Sequence, residues 1–196
     1  AVEIGASHDL PVHVRDIDSF YRKRGAKKSD MDVRFEFDED TAMLMHYYDI
    51  DTIAYAGYMS IVTSPLLGFL GVNVHPADLR IEEDGGRKYR GANAVQAALV
   101  EGEQIFRSTT HLLTEEVDAG PLLVVSEAVY LKSWNNICTA TPYVQDKLKK
   151  EEWRIFPKTL ECIAQGRFAK SEEGKIHLDN KPIPNGVIFN DIFDTE

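Results

Sequence analysis

The stretch from Thr52 to His75 constrains the fold more than any other part of this chain. Thr52-Ile-Ala-Tyr-Ala56 is a β-type run, and Gly57-Tyr-Met-Ser60 reads as the loop leaving its C-terminal end. Thr63-Ser-Pro65 then starts a short helix, proline being well placed in a first turn. An apolar approach from Leu66 delivers a second β-type run ending at His75. Strand–helix–strand alternation predicts an α/β fold with parallel strands and right-handed crossovers. The second run closes as Gly71-Val-Asn-Val-His-Pro76, where proline ends the ladder because it offers no N–H. A period of two puts Asn73 and His75 on one face, aimed beyond the strand's C-terminal edge. Ligands bind at that edge in open α/β sheets. The competing reading is a strand end whose two polar residues are satisfied by neighbouring backbone.

The rest of the chain fits around this unit. Ala1 to Leu10 reads as the tail of a helix, Pro11-Val-His-Val14 as a short β-type run with a surface histidine, and Asp16 to Arg24 as a polar connection. Asp38 is expected to cap a helix running to about Tyr48. Ala77 to Arg90 is a polar loop containing Gly85-Gly86, and a helix follows from about Asn93 to Gly102. Phe106 to Leu113 and Pro121 to Val129 are β-rich and are joined by the acidic turn 114–120. Tyr143 to Gly166 is long and amphipathic, with Pro157 expected to break or kink it. A hairpin of Phe168–Lys170 against Lys175–Leu178 and a tail close the chain, giving one domain over 1–196 with a C-terminal hairpin and tail at 168–196.

Charge narrows the function classes. A formal net charge of −10 across 196 residues argues against a general nucleic-acid or membrane-surface binder, which would carry a basic face. No apolar run approaches the roughly 20 residues that span a bilayer. Cys138 and Cys162 lack metal-ligand spacing and are expected to be reduced core residues of a cytoplasmic protein.

Asp118 joins Asn73 and His75 as a third polar residue at a strand end, in the loop Asp118-Ala-Gly-Pro121. An aspartate near a histidine raises the imidazole pKa and orients the ring. An amide beside an imidazolium supplies two donors for one oxygen, which suits the oxyanion of acyl transfer. No serine or cysteine sits in an activating motif, so the nucleophile would come from the substrate. His111 either lines the same cleft or is a buried structural residue.

These residues resemble a known family. Ala56-Gly-Tyr-Met59, Asn73-Val-His-Pro76, Gly91, Ala97-Ala-Leu99, Thr110-His111 and Val117-Asp-Ala-Gly-Pro121 follow the order found in formyltransferases that use 10-formyltetrahydrofolate. The chain is most like the phosphoribosylglycinamide type, over roughly Asp38 to Arg167, including a C-terminal helix segment with Phe156-Pro157. The resemblance implies a Rossmann-like, mostly parallel sheet flanked by helices. It implies that Asn73 holds the formyl oxygen and that His75 stabilises the oxyanion as imidazolium. Asp118 would keep His75 charged and accept the amine's proton through a water. Tyr58, Met59, Ile61 and Val62, with the backbone of Thr114, Glu115, Glu116 and Val117, would line the pocket for the folate donor. The implied partner is a small-molecule amine, with no metal, nucleic acid or membrane involved and with homo-oligomerisation left open.

Two departures concern the acceptor side. The 77–90 segment is longer than in the family, and its bases Arg80, Arg87, Lys88 and Arg90, with Gly91 and His111 nearby, either clamp an anionic group of the acceptor or form a solvated insertion. The family's opening strand and glycine-rich turn, which cradle a phosphate, have no counterpart here, so the chain is expected to be an N-terminally incomplete fragment of the domain. Hydrolysis of the same donor, or folate binding without turnover, are the alternatives to transfer.

Overall fold

The computed structural model describes residues 2–193. Three helices come first: α1 (Val2–Ser7), α2 (Ile17–Lys23) and α3 (Met31–Tyr47). Ala1, included in the expected first helix, lies outside the described residues. The segment expected to be a polar connection is helical because the Asp16 side chain accepts from Ser19 N–H at 3.1 Å and caps α2. Pro11 to Val14 has β-type composition but no assigned strand pairing among the described residues. Helix α3 begins earlier than expected: Asp30, not Asp38, is its cap, accepting from the Asp32 and Val33 N–H groups. Asp38 sits mid-helix and fully buried.

The sheet follows. Strand β1 (Thr52–Tyr55) runs parallel to β2 (Leu70–His75) through the short helix α4 (Ser64–Leu67), as the alternation predicts. The 77–90 segment is not a loose loop. It forms a hairpin of β3 (Glu82–Glu83) and β4 (Gly86–Arg87), turned by Asp84 and Gly85, both at positive φ. That pairing of left-handed residues suits a two-residue hairpin turn. After it come α5 (Ala94–Val100), β5 (Ile105–Phe106), β6 (Thr109–Leu112), β7 (Leu122–Val125) and β8 (Val129–Tyr130).

Helix α6 (Ile137–Ala164) starts at the Asn136 cap, six residues before the expected start, and continues through both Pro142 and Pro157 without a break. Packing on the sheet outweighs the hydrogen bond each proline forfeits, since Leu148 and Ile155 on this helix are fully buried. Cys162 is buried as expected, whereas Cys138 in the first turn of α6 is exposed. The described residues end with β9 (Phe168–Lys170), β10 (Ile176–Leu178), β11 (Lys181–Pro182), β12 (Val187–Ile188) and α7 (Asn190–Phe193), and the last part of the expected tail, 194–196, lies outside them. The predicted hairpin is β9 against β10. Strand β12 of the tail enters the main sheet parallel to β7.

The main sheet has the order β1-β2-β6-β7-β12: two parallel pairs flank antiparallel contacts of β6 with β2 and β7. Alternation sorts the side chains. Val72 packs into a core with Ile155 and Phe156 of α6, while Asn73 turns to the opposite face. Thr110 likewise meets Thr159 of α6, hydroxyl to hydroxyl at 3.0 Å, and leaves His111 for the other face. A second core, under the 82–87 hairpin, joins Tyr89, α5 and the first half of α6.

The link from β6 to β7 demands a glycine. A Cβ on Gly120 would lie 1.8 Å from the Leu112 carbonyl oxygen. Relief would require parting backbone from backbone, so Gly120→Ala is expected to lose about 3 kcal/mol of stability in urea unfolding.

Candidate active site

Strand register assembles the site. Asn73 is paired with Tyr55 on one side and His111 on the other, so these three side chains form a row across β1, β2 and β6. His75 stands two residues further along β2, at its end. Asp118 arrives from the loop between β6 and β7, with its backbone in the left-handed region at φ 52°. Side-chain oxygen and amide groups tolerate that region better than most, which favours Asp or Asn there.

The four polar side chains touch one another. Asp118 Oδ2 lies 3.3 Å from His75 Nδ1, and Asp118 Oδ1 lies 3.3 Å from His111 Nε2. Asn73 Nδ2 lies 3.3 Å from the same His111 nitrogen. Backbone carbonyls fix the tautomers, because a carbonyl only accepts. His75 Nε2–H donates to Tyr89 O at 2.9 Å, and His111 Nδ1–H donates to Leu112 O at 2.9 Å. The other nitrogen of each ring turns inward: His111 Nε2 faces Asn73 and Asp118, and His75 Nδ1 faces Asp118. The Gly91 N–H donates to Asp118 Oδ2 at 2.8 Å.

Burial decides the charge state of His75. The ring is 6% exposed, and desolvation lowers its pKa by more than the Asp118 charge raises it. The resting imidazole is thus neutral near pH 7, not the imidazolium that the nearby aspartate suggests from sequence. For Asp118 burial also disfavours charge, but at the acid pH where it titrates the contact with His111, the positive charge that His75 then carries and the Gly91 N–H outweigh it and hold the carboxyl at about 2. The cluster at rest pairs an ionised carboxylate with an imidazole able to take a proton.

Beside the cluster lies a cavity of about 320 Å³. It is lined by Asn73, His75, His111 and Asp118, by Tyr58, Met59, Ile61 and Val62 of the loop after β1, by Thr114, Glu115, Glu116 and Val117, and by Gly91. The four bases of the 77–90 segment do not line it. Arg80 pairs with Asp78, Lys88 with Glu83 and Glu101, and Arg90 with Glu116, while Arg87 donates to the Asp118 carbonyl at 2.6 Å. Among the described residues no group of three His, Cys, Asp or Glu side chains is arranged to hold a metal ion.

Three participants escaped the sequence reading. Tyr55 lines the cavity, and its hydroxyl is buried with no hydrogen-bond partner. The alternation that singled out Asn73 could have found it, since Tyr55 closes the preceding strand. Arg34 and Asp38 form a buried ion pair at 3.1 Å in α3 and hold the cavity loop at both ends. Arg34 donates to the Tyr58 hydroxyl, and Asp38 Oδ2 accepts from Thr63 N–H and Oγ1–H, both at 2.8 Å. Their i,i+4 spacing was visible, but it is also the spacing of an ordinary surface pair.

A sheet edge carrying a hydrogen-bonded Asn, His and Asp set beside a cavity defines an α/β protein with a ligand site at its strand ends. The chain belongs to the formyl transferase family, whose model matches residues 11–160. It is 31% identical over 146 residues to the human trifunctional purine biosynthetic protein adenosine-3, covering 73% of this chain and 13% of that protein. It is 26% identical over 159 residues to the phosphoribosylglycinamide formyltransferase of Haemophilus influenzae, covering 80% of this chain and 69% of that enzyme. The chain thus spans a small part of the trifunctional protein and about two thirds of the bacterial one. The structure of the phosphoribosylglycinamide formyltransferase from Coxiella burnetii shares the fold, with a TM-score of 0.72 at 23% identity, over 96% of this chain and 79% of that one. Among the described residues no helix is long and apolar enough to cross a membrane.

Proposed function

We propose that the protein transfers a formyl group from 10-formyltetrahydrofolate to a small-molecule amine, glycinamide ribonucleotide or a relative of it. The observation that carries this reading is the convergence of Asn73, His75, His111 and Asp118 on one cavity in a chain of the formyl transferase family. The cavity fits the donor's flat heteroaromatic ring: its volume of about 320 Å³ is in the range of small-molecule sites, and the unpartnered Tyr55 hydroxyl offers a polar contact. The bound folate would supply an activated formyl group. The acceptor amine supplies the nucleophile that the protein lacks.

The resting geometry supports the following roles. One Asn73 N–H is directed to His111, which leaves the second for the formyl oxygen. The Asp118 carboxylate and the inward lone pair of His75 face one another and can take up the proton that the attacking amine must lose. The proton is held between the two, so that the His75 ring gains positive charge next to the developing oxyanion and stabilises it through its field. Both its ring nitrogens already face protein acceptors, so a direct hydrogen bond to the oxyanion would require the ring to leave Tyr89.

Asn73→Ala is expected to lower kcat about 10²- to 10³-fold with little change in KM for the donor, the pattern for a donor used mainly in the transition state. Steady-state assays with and without glycinamide ribonucleotide test the reading itself. Donor consumption that ignores every added amine would instead mean hydrolysis. Tight binding of a reduced folate analogue without turnover would mean a folate-binding domain.

A further inference from the structure

The 77–91 segment touches the Asp118 cluster through three of its residues and the loop that carries Asp118 through a fourth, and none of these contacts is that of a free anion clamp. Arg87 donates to the Asp118 carbonyl at 2.6 Å, the Tyr89 carbonyl accepts from His75 Nε2–H, Arg90 pairs with Glu116, and the Gly91 N–H donates to the Asp118 carboxylate. The segment is anchored from beneath: Leu79 and Tyr89 are buried, and the Tyr89 hydroxyl donates to Glu103 at 2.9 Å. The Asp84-Gly85 turn and the Lys88 N–H bond to Ile81 O at 2.9 Å fix where β4, and hence Arg87, points.

We propose that Arg87 is a positioning residue: its guanidinium holds the Asp118 backbone in the left-handed conformation and so aims the carboxylate between His75 and His111. The inference rests on the reading of Asp118 and His75 as the pair that accepts the amine's proton. Aspartate tolerates positive φ, and contacts with the groups around it decide where its carboxylate points. Here the constraints come from two sides, Arg87 on the carbonyl and Gly91 on the carboxylate. The charged groups facing Arg87 are Glu82, Asp118, Arg90 and Glu116, and burial lowers its own pKa within a range where a guanidinium stays charged. A cation that has given up part of its hydration to reach a peptide carbonyl serves the backbone it grips. The hairpin inserted after His75 is then the brace of the cluster, and the basic residue that matters acts through geometry.

The test compares wild type with Arg87→Met and Arg87→Lys. Four quantities are read: kcat and KM for formyl transfer, the Kd of a reduced folate analogue, and the titration of His75 followed by imidazole nitrogen NMR. In R87M kcat is expected to fall about 10²-fold, as for a reacting group displaced by about an ångström, while the analogue Kd changes less than about twofold. The His75 titration should move down by about one unit, because the carboxylate that favours the charged ring has swung away. R87K, which keeps the charge on a shorter reach, should recover most of both losses. A raised amine KM with unchanged kcat and unchanged His75 titration would overturn the proposal and make Arg87 a substrate contact. No change in any quantity would also overturn it, leaving the hairpin a surface feature. If wild type transfers no formyl group, the functional reading fails, and the His75 titration still decides the role of Arg87. If R87M does not fold, R87K decides by the same readouts.

Discussion

Asp118→Asn is expected to lower kcat about 10³-fold while leaving the affinity for a reduced folate analogue nearly unchanged. Asparagine is the informative replacement because it accepts the left-handed backbone that Asp118 adopts at φ 52° and preserves an oxygen for the Gly91 N–H. What it removes is the charge between the two histidines and the oxygen that can take a proton. The same variant carries a pH signature. The folded-state carboxyl is held at about 2 against an ordinary value of 3.8, so its ionised form favours the folded state. That contribution is complete above about pH 5 and is lost as pH falls through about 2; a depression of this size corresponds to about 2 kcal/mol. Wild type should therefore lose stability more steeply than D118N between pH 5 and pH 2 in urea titrations. Parallel curves would mean that the carboxylate is not bound by its neighbours in the way the distances imply.

The largest stability loss is expected at Asp38, far in sequence from the cluster. Asp38→Ala leaves Arg34 charged, 3% exposed and with its Nε still lacking a partner, and removes both hydrogen bonds that hold Thr63. Breaking one side of a buried ion pair costs about 3–5 kcal/mol, most of it from the stranded charge. Replacing both residues with apolar ones, R34M with D38L, should cost less than D38A alone, which denaturant midpoints can read directly. D38A should also weaken folate-analogue binding, since Tyr58 and Thr63 bracket the loop that walls the cavity. If D38A leaves stability and binding untouched, the ion pair does not organise that loop.

The local pattern in the sequence carried the strand ends well. Period-two alternation placed Asn73 and His75 on one face, and the β1–α4–β2 unit followed from Thr63-Ser-Pro65 between two apolar runs. The hairpin at 168–178 was legible for the same reason. Errors arose where a local signal has two uses. Asp38 has the residue type of a helix cap, but Asp30 takes that role and Asp38 is held in a tertiary ion pair. Pro157 marks a break in an isolated helix, yet the burial of Ile155 and Phe156 carries α6 through it. The charge of His75 also depended on something no sequence pattern encodes. Proximity to Asp118 was readable, but the depth of burial that reverses its effect was not. The bases at 80–90 looked available because their partners, from Asp78 to Asp118, are chosen by the hairpin's path rather than by spacing.

The most direct test of the central claim follows the formyl carbon itself. The protein is incubated with 10-formyltetrahydrofolate labelled in the formyl carbon, with and without glycinamide ribonucleotide, and the label is tracked by NMR. The label is expected to appear as a formamide on the acceptor nitrogen, in step with donor loss, and D118N is expected to slow its appearance about 10³-fold. Label released as free formate at one rate whether or not the amine is present, or no movement of label despite a bound donor, would contradict the central claim.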